Sequence, residues 1–164
     1  MSDLTAARLR AVLSYDPATG IFTRRQTTCP RLKPGCAAGT TTVYGYVRVQ
    51  VDGHIYPAHH LAWLHVHGEW PVGILDHANG ERSDNRIANL RPATISQNKA
   101  NSKLRQDNQS GFKGAYLAPN GRWRAQIRCN GKLRSLGRFP TAEQAHAAYA
   151  KAAADLFGEF ARAA

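Results

Sequence analysis

Acidic side chains are scarce in this chain of 164 residues: 11 Asp and Glu stand against 22 Lys and Arg, for a formal net charge of +11. Cysteine is scarcer still. Cys29, Cys36 and Cys129 are odd in number and form no CxxC pair, which excludes both a disulfide framework and a cysteine zinc site. No apolar run approaches the roughly 20 residues that cross a bilayer. The opening Met1-Ser2-Asp3-Leu4 lacks a basic-then-apolar signal, so the expectation is an intracellular, cytoplasmic protein with no membrane partner. Tandem repeats and low-complexity tracts are also missing. What the chain does have is 43% apolar residues, enough to bury a core, in a length that suits one ordinary domain or two small ones. A strongly basic chain of this kind expects a polyanionic partner, with nucleic acid foremost.

The positive charge is uneven. Residues 1–108 hold 13 basic and 8 acidic side chains, residues 109–164 hold 9 and 3, and Ser110–Arg138 holds seven basic residues with no acid. The polar segment Ser96–Gly111 reads as a helix running into a linker, so the domain boundary is placed near Asn108. Leu4, Leu9, Val12 and Leu13 share one helical face, stopped by Asp16-Pro17. Cys29–Gly39 reads as loop. Val43, Val47, Val49 and Val51 alternate and continue through Asp52-Gly53 into Ile55-Tyr56, a hairpin signal. Pro57–His67 fits a helix, Asn89–Pro92 a strand, and Thr94–Leu104 a helix capped by Thr94. Three strand-like runs follow, Lys113–Leu117, Arg122–Cys129 and Lys132–Arg138, joined by turns at Asn120-Gly121 and Asn130-Gly131. Thr141–Phe157 reads as an Ala-rich helix ended by Gly158.

The polar constellation lies in residues 57–101: His59-His60-Leu61, Asp76-His77-Ala78-Asn79-Gly80, Asp84-Asn85-Arg86-Ile87-Ala88-Asn89-Leu90-Arg91 and Gln97-Asn98. Taken singly, an Asp-His pair or a lone Asn is an ordinary turn. Jointly, in this order and spacing, they resemble the HNH endonucleases, in particular the phage and homing branch whose last motif residue is Asn. The resemblance implies a β-β-α-metal finger over about residues 72–104. Asp76 and Asn98 would then be metal ligands, His77 the general base, and Asn89 the residue that fixes the finger loop and orients His77. His60 stands where relatives often carry Arg. Chemistry agrees with those roles: imidazole, with an unperturbed pKa of about 6.5, suits base catalysis near neutrality. A carboxylate and an amide oxygen suit one hard divalent ion, Mg²⁺ or Mn²⁺. Adjacent strand positions project to opposite faces, so Asp76 and His77 should have different neighbours. His54, His65 and His67 read as surface or helix-face residues, and a zinc cluster drawn from His59, His60, His65 and His67 lacks thiolates.

Downstream, Ser110-Gly111-Phe112-Lys113-Gly114-Ala115, Gly121-Arg122-Trp123-Arg124-Ala125-Gln126-Ile127, Leu136-Gly137-Arg138-Phe139 and Thr141–Tyr149 resemble the ethylene-response-factor DNA-binding domain. That implies a three-stranded antiparallel sheet packed on one helix, with the sheet in the major groove. Alternation puts Arg122, Arg124, Gln126 and Arg128 on one strand face, a row of donors for phosphates and base edges. Lys113, Arg134 and Arg138 are the further candidate DNA contacts of this segment. In the N-terminal part, "LSYDPATGIFTRR" resembles the same phage endonucleases, and is read as scaffold with extra contacts from Arg24, Arg25, Arg31, Lys33 and Arg48.

The expectation is thus an α+β protein of two modules: an HNH unit on an N-terminal α+β scaffold over 1–108, and a DNA-binding module over 109–164. Its expected activity is metal-dependent hydrolysis of double-stranded DNA, without a small-molecule cofactor, by a monomeric protein of a phage or mobile element. The competing readings are a non-catalytic DNA-binding or regulatory protein with a decayed finger, and an RNA-binding or structural basic protein.

Overall fold

The computed structural model describes residues 4–26 and 33–162; Cys29 and the candidate contact Arg31 lie outside them. The chain divides into two compact units, Met1–Pro92 and Ala93–Ala164, so the division falls before the Thr94 cap, upstream of the boundary read near Asn108. Among the described residues no helix is long and apolar enough to cross a membrane, and Cys36 and Cys129 are unpaired.

The first unit is built from small antiparallel ladders and two helices. Helix α1 (Ala6–Val12) is capped by Thr5, whose side chain accepts from the Arg8 amide. It ends one residue before Leu13, which turns extended and opens β1 (Leu13–Asp16). The sequence pattern assigned Leu13 to the helical face; it is buried all the same, because the strand keeps it on the core side. β1 pairs with β2 (Ile21–Arg24), and β2 with β3 (Ala37–Ala38), a short strand inside the stretch read as loop. The single alternating run expected over Thr41–Val51 is broken. β4 is only Thr40–Thr41, a tight turn follows over residues 42–46, and β5 resumes at Val47–Val51. The break leaves Val43 and Tyr44 exposed. β5 pairs with β6 (His54–Pro57) through Asp52-Gly53, both at positive φ, the conformation a two-residue hairpin of matching twist requires.

Helix α2 (Ala58–His67) buries Leu61, Ala62 and Leu64 against Leu9, Leu13, Phe22, Val49 and Val51 and ends at Gly68 in the left-handed region. β7 (Ile74–His77) pairs with β8 (Leu90–Ala93), with a 3₁₀ turn at Ile87–Asn89 just before β8.

The second unit opens with α3 (Ile95–Asn101), started by a reciprocal capping box between Thr94 and Gln97. It stops three residues short of the expected Leu104. β9 (Ala115–Leu117), β10 (Trp123–Cys129) and β11 (Lys132–Phe139) form an antiparallel sheet with β10 central. α4 (Ala142–Phe157) lays Ala145, Tyr149, Ala153 and Phe157 on it at four-residue intervals, the spacing of one helical face. Small Ala residues let helix and sheet approach closely. Gly114, at φ +77°, has the Tyr149 ring where a Cβ would project.

Candidate active site

Asp76 and His77 close β7 and are both buried, at 4% and 5% exposure. Their neighbours differ, as adjacent strand positions demand. Arg91, on the paired strand β8, donates its Nε to Asp76 Oδ2 at 3.1 Å, with Nη2 also at 3.1 Å. His77 instead meets Asn85, Tyr46 and His59.

The loop between β7 and β8 is tied by its own amides. Asn89, buried at the end of the 3₁₀ turn, accepts from the Asn79 amide at 3.0 Å and donates Nδ2 to the Asp84 carbonyl at 2.8 Å. Its carbonyl takes the Ala78 N–H at 2.8 Å. One side chain thereby staples both ends of the loop directly beside His77. Asp84 binds Arg86 at 2.6 Å and Asn79 at 2.7 Å, and these partners, Arg86 first, bring its carboxyl down to about 2.

Asn85 is only 2% exposed. Its Nδ2 donates to the Ser83 carbonyl at 3.1 Å, so Oδ1 faces His77 Nε2 at 3.4 Å. An amide oxygen can only accept, so this contact suits a ring hydrogen on Nε2, which would put the lone pair on Nδ1. Burial lowers the proton affinity of the ring, with the Asn85 contact opposing. Asn85 is held from behind: the Tyr15 hydroxyl donates to its carbonyl at 2.8 Å. Gly20, at φ +74°, comes so near that a Cβ would stand 2.6 Å from the Asn85 carbonyl carbon. The β1–β2 hairpin is thus the buttress of the His77 loop.

His59, from the first turn of α2, sets its ring edge-to-face against His77 at 5.0 Å and His60 at 4.6 Å. It is 8% exposed, its Nδ1 is buried without a hydrogen-bond partner, and burial brings its pKa down to about 3. His65 is a packing residue, with its ring against Tyr15 and Phe22. Among the described residues no group of three or more His, Cys, Asp or Glu side chains is placed to hold a metal.

The structure brings Asp76, His77 and Asn89 together; Asn98 lies on α3 in the second unit, half-buried. Asn85 and Arg91 are the residues that sequence reasoning passed over. Both stand in the quoted Asp84-Asn85-Arg86 and Asn89-Leu90-Arg91 phrases, but nothing in the sequence alone marks them, since each acts through a contact made by folding.

In the second unit, Arg124 stands opposite Arg138 on one side and Tyr116 on the other, and Gln126 opposite Ser135. Opposed residues share a face, so Arg124, Gln126, Arg128 and Arg138 do share one. Arg122 lies one residue before β10, in the turn. The ladder shifts register between Ala125 and Gln126, and Arg134 consequently sits opposite the buried Ile127, on the helix side of the sheet. Lys113 is placed elsewhere again: its ammonium is half-buried and donates to the carbonyls of Ala100, Ser102 and Arg162 at 2.5, 2.7 and 3.0 Å. Trp123 packs with Ala125 and Ala145 on the helix side. Of the N-terminal basic residues, Arg25, Lys33 and Arg48 are exposed and Arg24 is half-buried.

Residues 56–100 match the family model described as HNH endonuclease, so an HNH endonuclease domain occupies that segment. Over 125 residues the chain is 31% identical to the uncharacterized HNH endonuclease L560 of Acanthamoeba polyphaga mimivirus, covering 76% of this chain and 62% of that protein. The chain therefore spans less than two thirds of its relative. No solved structure matches it.

Proposed function

We propose that this protein is a metal-dependent endonuclease that hydrolyses phosphodiester bonds of double-stranded DNA. The observation that carries the reading is the buried His77, faced by Asn85 and with its loop stapled by Asn89, inside the HNH match. His77 Nδ1 takes a proton from the attacking water as the new P–O bond forms and the P–O bond to the leaving sugar oxygen breaks, that oxygen taking its proton from solvent. Asp76, with Asn98 carried over from the family resemblance, is the donor set for the ion. Both are hard oxygen donors, as Mg²⁺ and Mn²⁺ prefer, and the carboxylate is already buried opposite a cation, Arg91. When bound, the ion supplies charge neutralisation at the phosphate and leaving oxygen. Asn89 and Asn85 touch no substrate in this scheme; they hold the base in place.

The second unit supplies DNA contacts through its open sheet face, in the manner of the ethylene-response-factor domain that the sequence resembles. Arg124 and Arg138 stand directly opposite each other, an arrangement that costs energy until an anion lies between them. Arg124 Nε is buried without a partner. Arg128 and Gln126 extend that face, while Lys113 is spent on backbone carbonyls and is not assigned to DNA.

Supercoiled plasmid incubated with the protein and Mg²⁺ or Mn²⁺, against an EDTA control, tests the reading. Nicked circles should appear first, since one site attacks one strand, and EDTA should abolish them. Binding without cleavage on several DNA substrates would favour the decayed-finger reading instead.

A further inference from the structure

Arg82 sits in the loop that Asn89 staples, five residues after His77. Its guanidinium carbon lies 4.9 Å from the centre of the Tyr46 ring, and Nη1 donates to the Tyr44 carbonyl at 3.0 Å. Two anchors of different kinds therefore fix an exposed Arg that would otherwise sample many rotamers. The anchors are themselves held. The turn over residues 42–46 closes on Thr42, whose side chain accepts from the Tyr46 amide at 3.2 Å, and Gly45 adopts φ +82° within it. Tyr46 then faces the catalytic side: its ring centre is 6.1 Å from that of His77 and 5.7 Å from that of His59.

Among the described residues the charge of Arg82 is met by a ring face and a carbonyl alone. Arg8, Arg86 and Arg91 in the same unit pair with Asp52, Asp84 and Asp76. Arg82 pairs with no carboxylate among the described residues, although Asp84 stands two positions away and takes Arg86 instead. The guanidinium has five N–H donors, and one is used on Tyr44.

We propose that Arg82 is a phosphodiester-binding residue of the active site, holding a non-bridging phosphate oxygen of the DNA backbone beside His77. This rests on the nuclease reading above. The fork geometry of guanidinium matches phosphate oxygens at two points, and pre-fixed donors of this kind act on charge that develops in the transition state. The same anchoring explains why the turn over residues 42–46 exists: it interrupts a strand to carry Tyr44 and Tyr46 to the loop.

The test uses the full chain with Arg82→Ala, Arg82→Lys and His77→Ala. In single-turnover plasmid nicking at saturating protein with Mn²⁺, Arg82→Ala should be slowed about 10²-fold. Arg82→Lys, which keeps the charge but loses the fork, should recover part of that rate. Equal rates for wild type and Arg82→Ala, with His77→Ala inactive, would overturn the proposal and leave the nuclease reading standing. A second measurement does not need cleavage. In ¹⁵N-labelled His77→Ala protein, the Arg82 Nε–Hε resonance, assigned by its loss in Arg82→Lys, should move on titration with dimethyl phosphate to tens of millimolar. A resonance that stays still would overturn the proposal even if wild type cleaves, and wild type no faster than His77→Ala would sink the nuclease reading instead.

Discussion

His59 should make the first unit sensitive to mild acid. The ring is buried against His60 and His77, which brings its pKa from 6.5 to about 3. In the unfolded chain it takes a proton below about pH 6.5, while in the folded chain it refuses one until about pH 3. Between those values the unfolded state binds more protons, so stability falls as pH falls through that window. At 1.36 kcal/mol per pH unit, the loss attributable to this one ring is about 2 kcal/mol at pH 5 and about 5 kcal/mol once pH reaches 3. His60 and His77 are lowered in the same direction by burial and steepen the fall. His59→Leu removes the titration without removing a hydrogen bond from Nδ1, which has none. Urea unfolding followed by Trp63 and Trp70 fluorescence in a Trp123→Phe background, at pH 7.5 and pH 5.0, measures the difference. The drop between the two pH values should shrink by about 2 kcal/mol in His59→Leu. An unchanged drop would refute the assignment of the acid sensitivity to this ring.

Lys113→Met should destabilise the second unit by about 2–3 kcal/mol, because three carbonyls lose a charged donor. It should leave the salt dependence of DNA binding untouched, which separates a structural lysine from one that binds phosphate. Gly114→Ala should lower the thermal midpoint sharply, since the left-handed backbone and the Tyr149 ring both oppose a Cβ; a midpoint within a degree of wild type would contradict the packing described. Neutralising Arg122, Arg124 and Arg128 together should weaken DNA binding and reduce the slope of log K against log salt by about 0.9 for each phosphate no longer neutralised. An unchanged slope would make that face a solvated surface.

Local chemistry made much of this fold legible in the sequence. The Asp52-Gly53 and Asn130-Gly131 turns are read directly from residues that tolerate positive φ, and the Thr94 and Thr141 caps from hydroxyls three residues before an amide. Where the pattern failed, tertiary contacts decided. Leu13 satisfies a helical period and a strand period equally, and only its pairing with Arg24 selects the strand. The alternation over Thr41–Val51 hides a turn because Val43 and Tyr44 are apolar yet exposed. One register shift at Ala125/Gln126 moved Arg134 to the other side of the sheet, and strict alternation in sequence cannot anticipate a bulge. At the site, the family resemblance singled out Asp76, His77 and Asn89, and the structure shows all three buried, with Asn89 tying the loop beside His77. The roles of Asn85, Arg91 and Arg82 could not be read from the sequence, since each depends on what a neighbouring strand or turn places against it.

The most direct test compares His77→Ala with wild type on one DNA, measuring affinity and metal-dependent nicking on the same preparation. Nicking should fall by at least about 10²-fold, while DNA affinity stays within about twofold, because the sheet-face arginines are unaffected. Nicking by His77→Ala at the wild-type rate would contradict the assignment of His77 as the base.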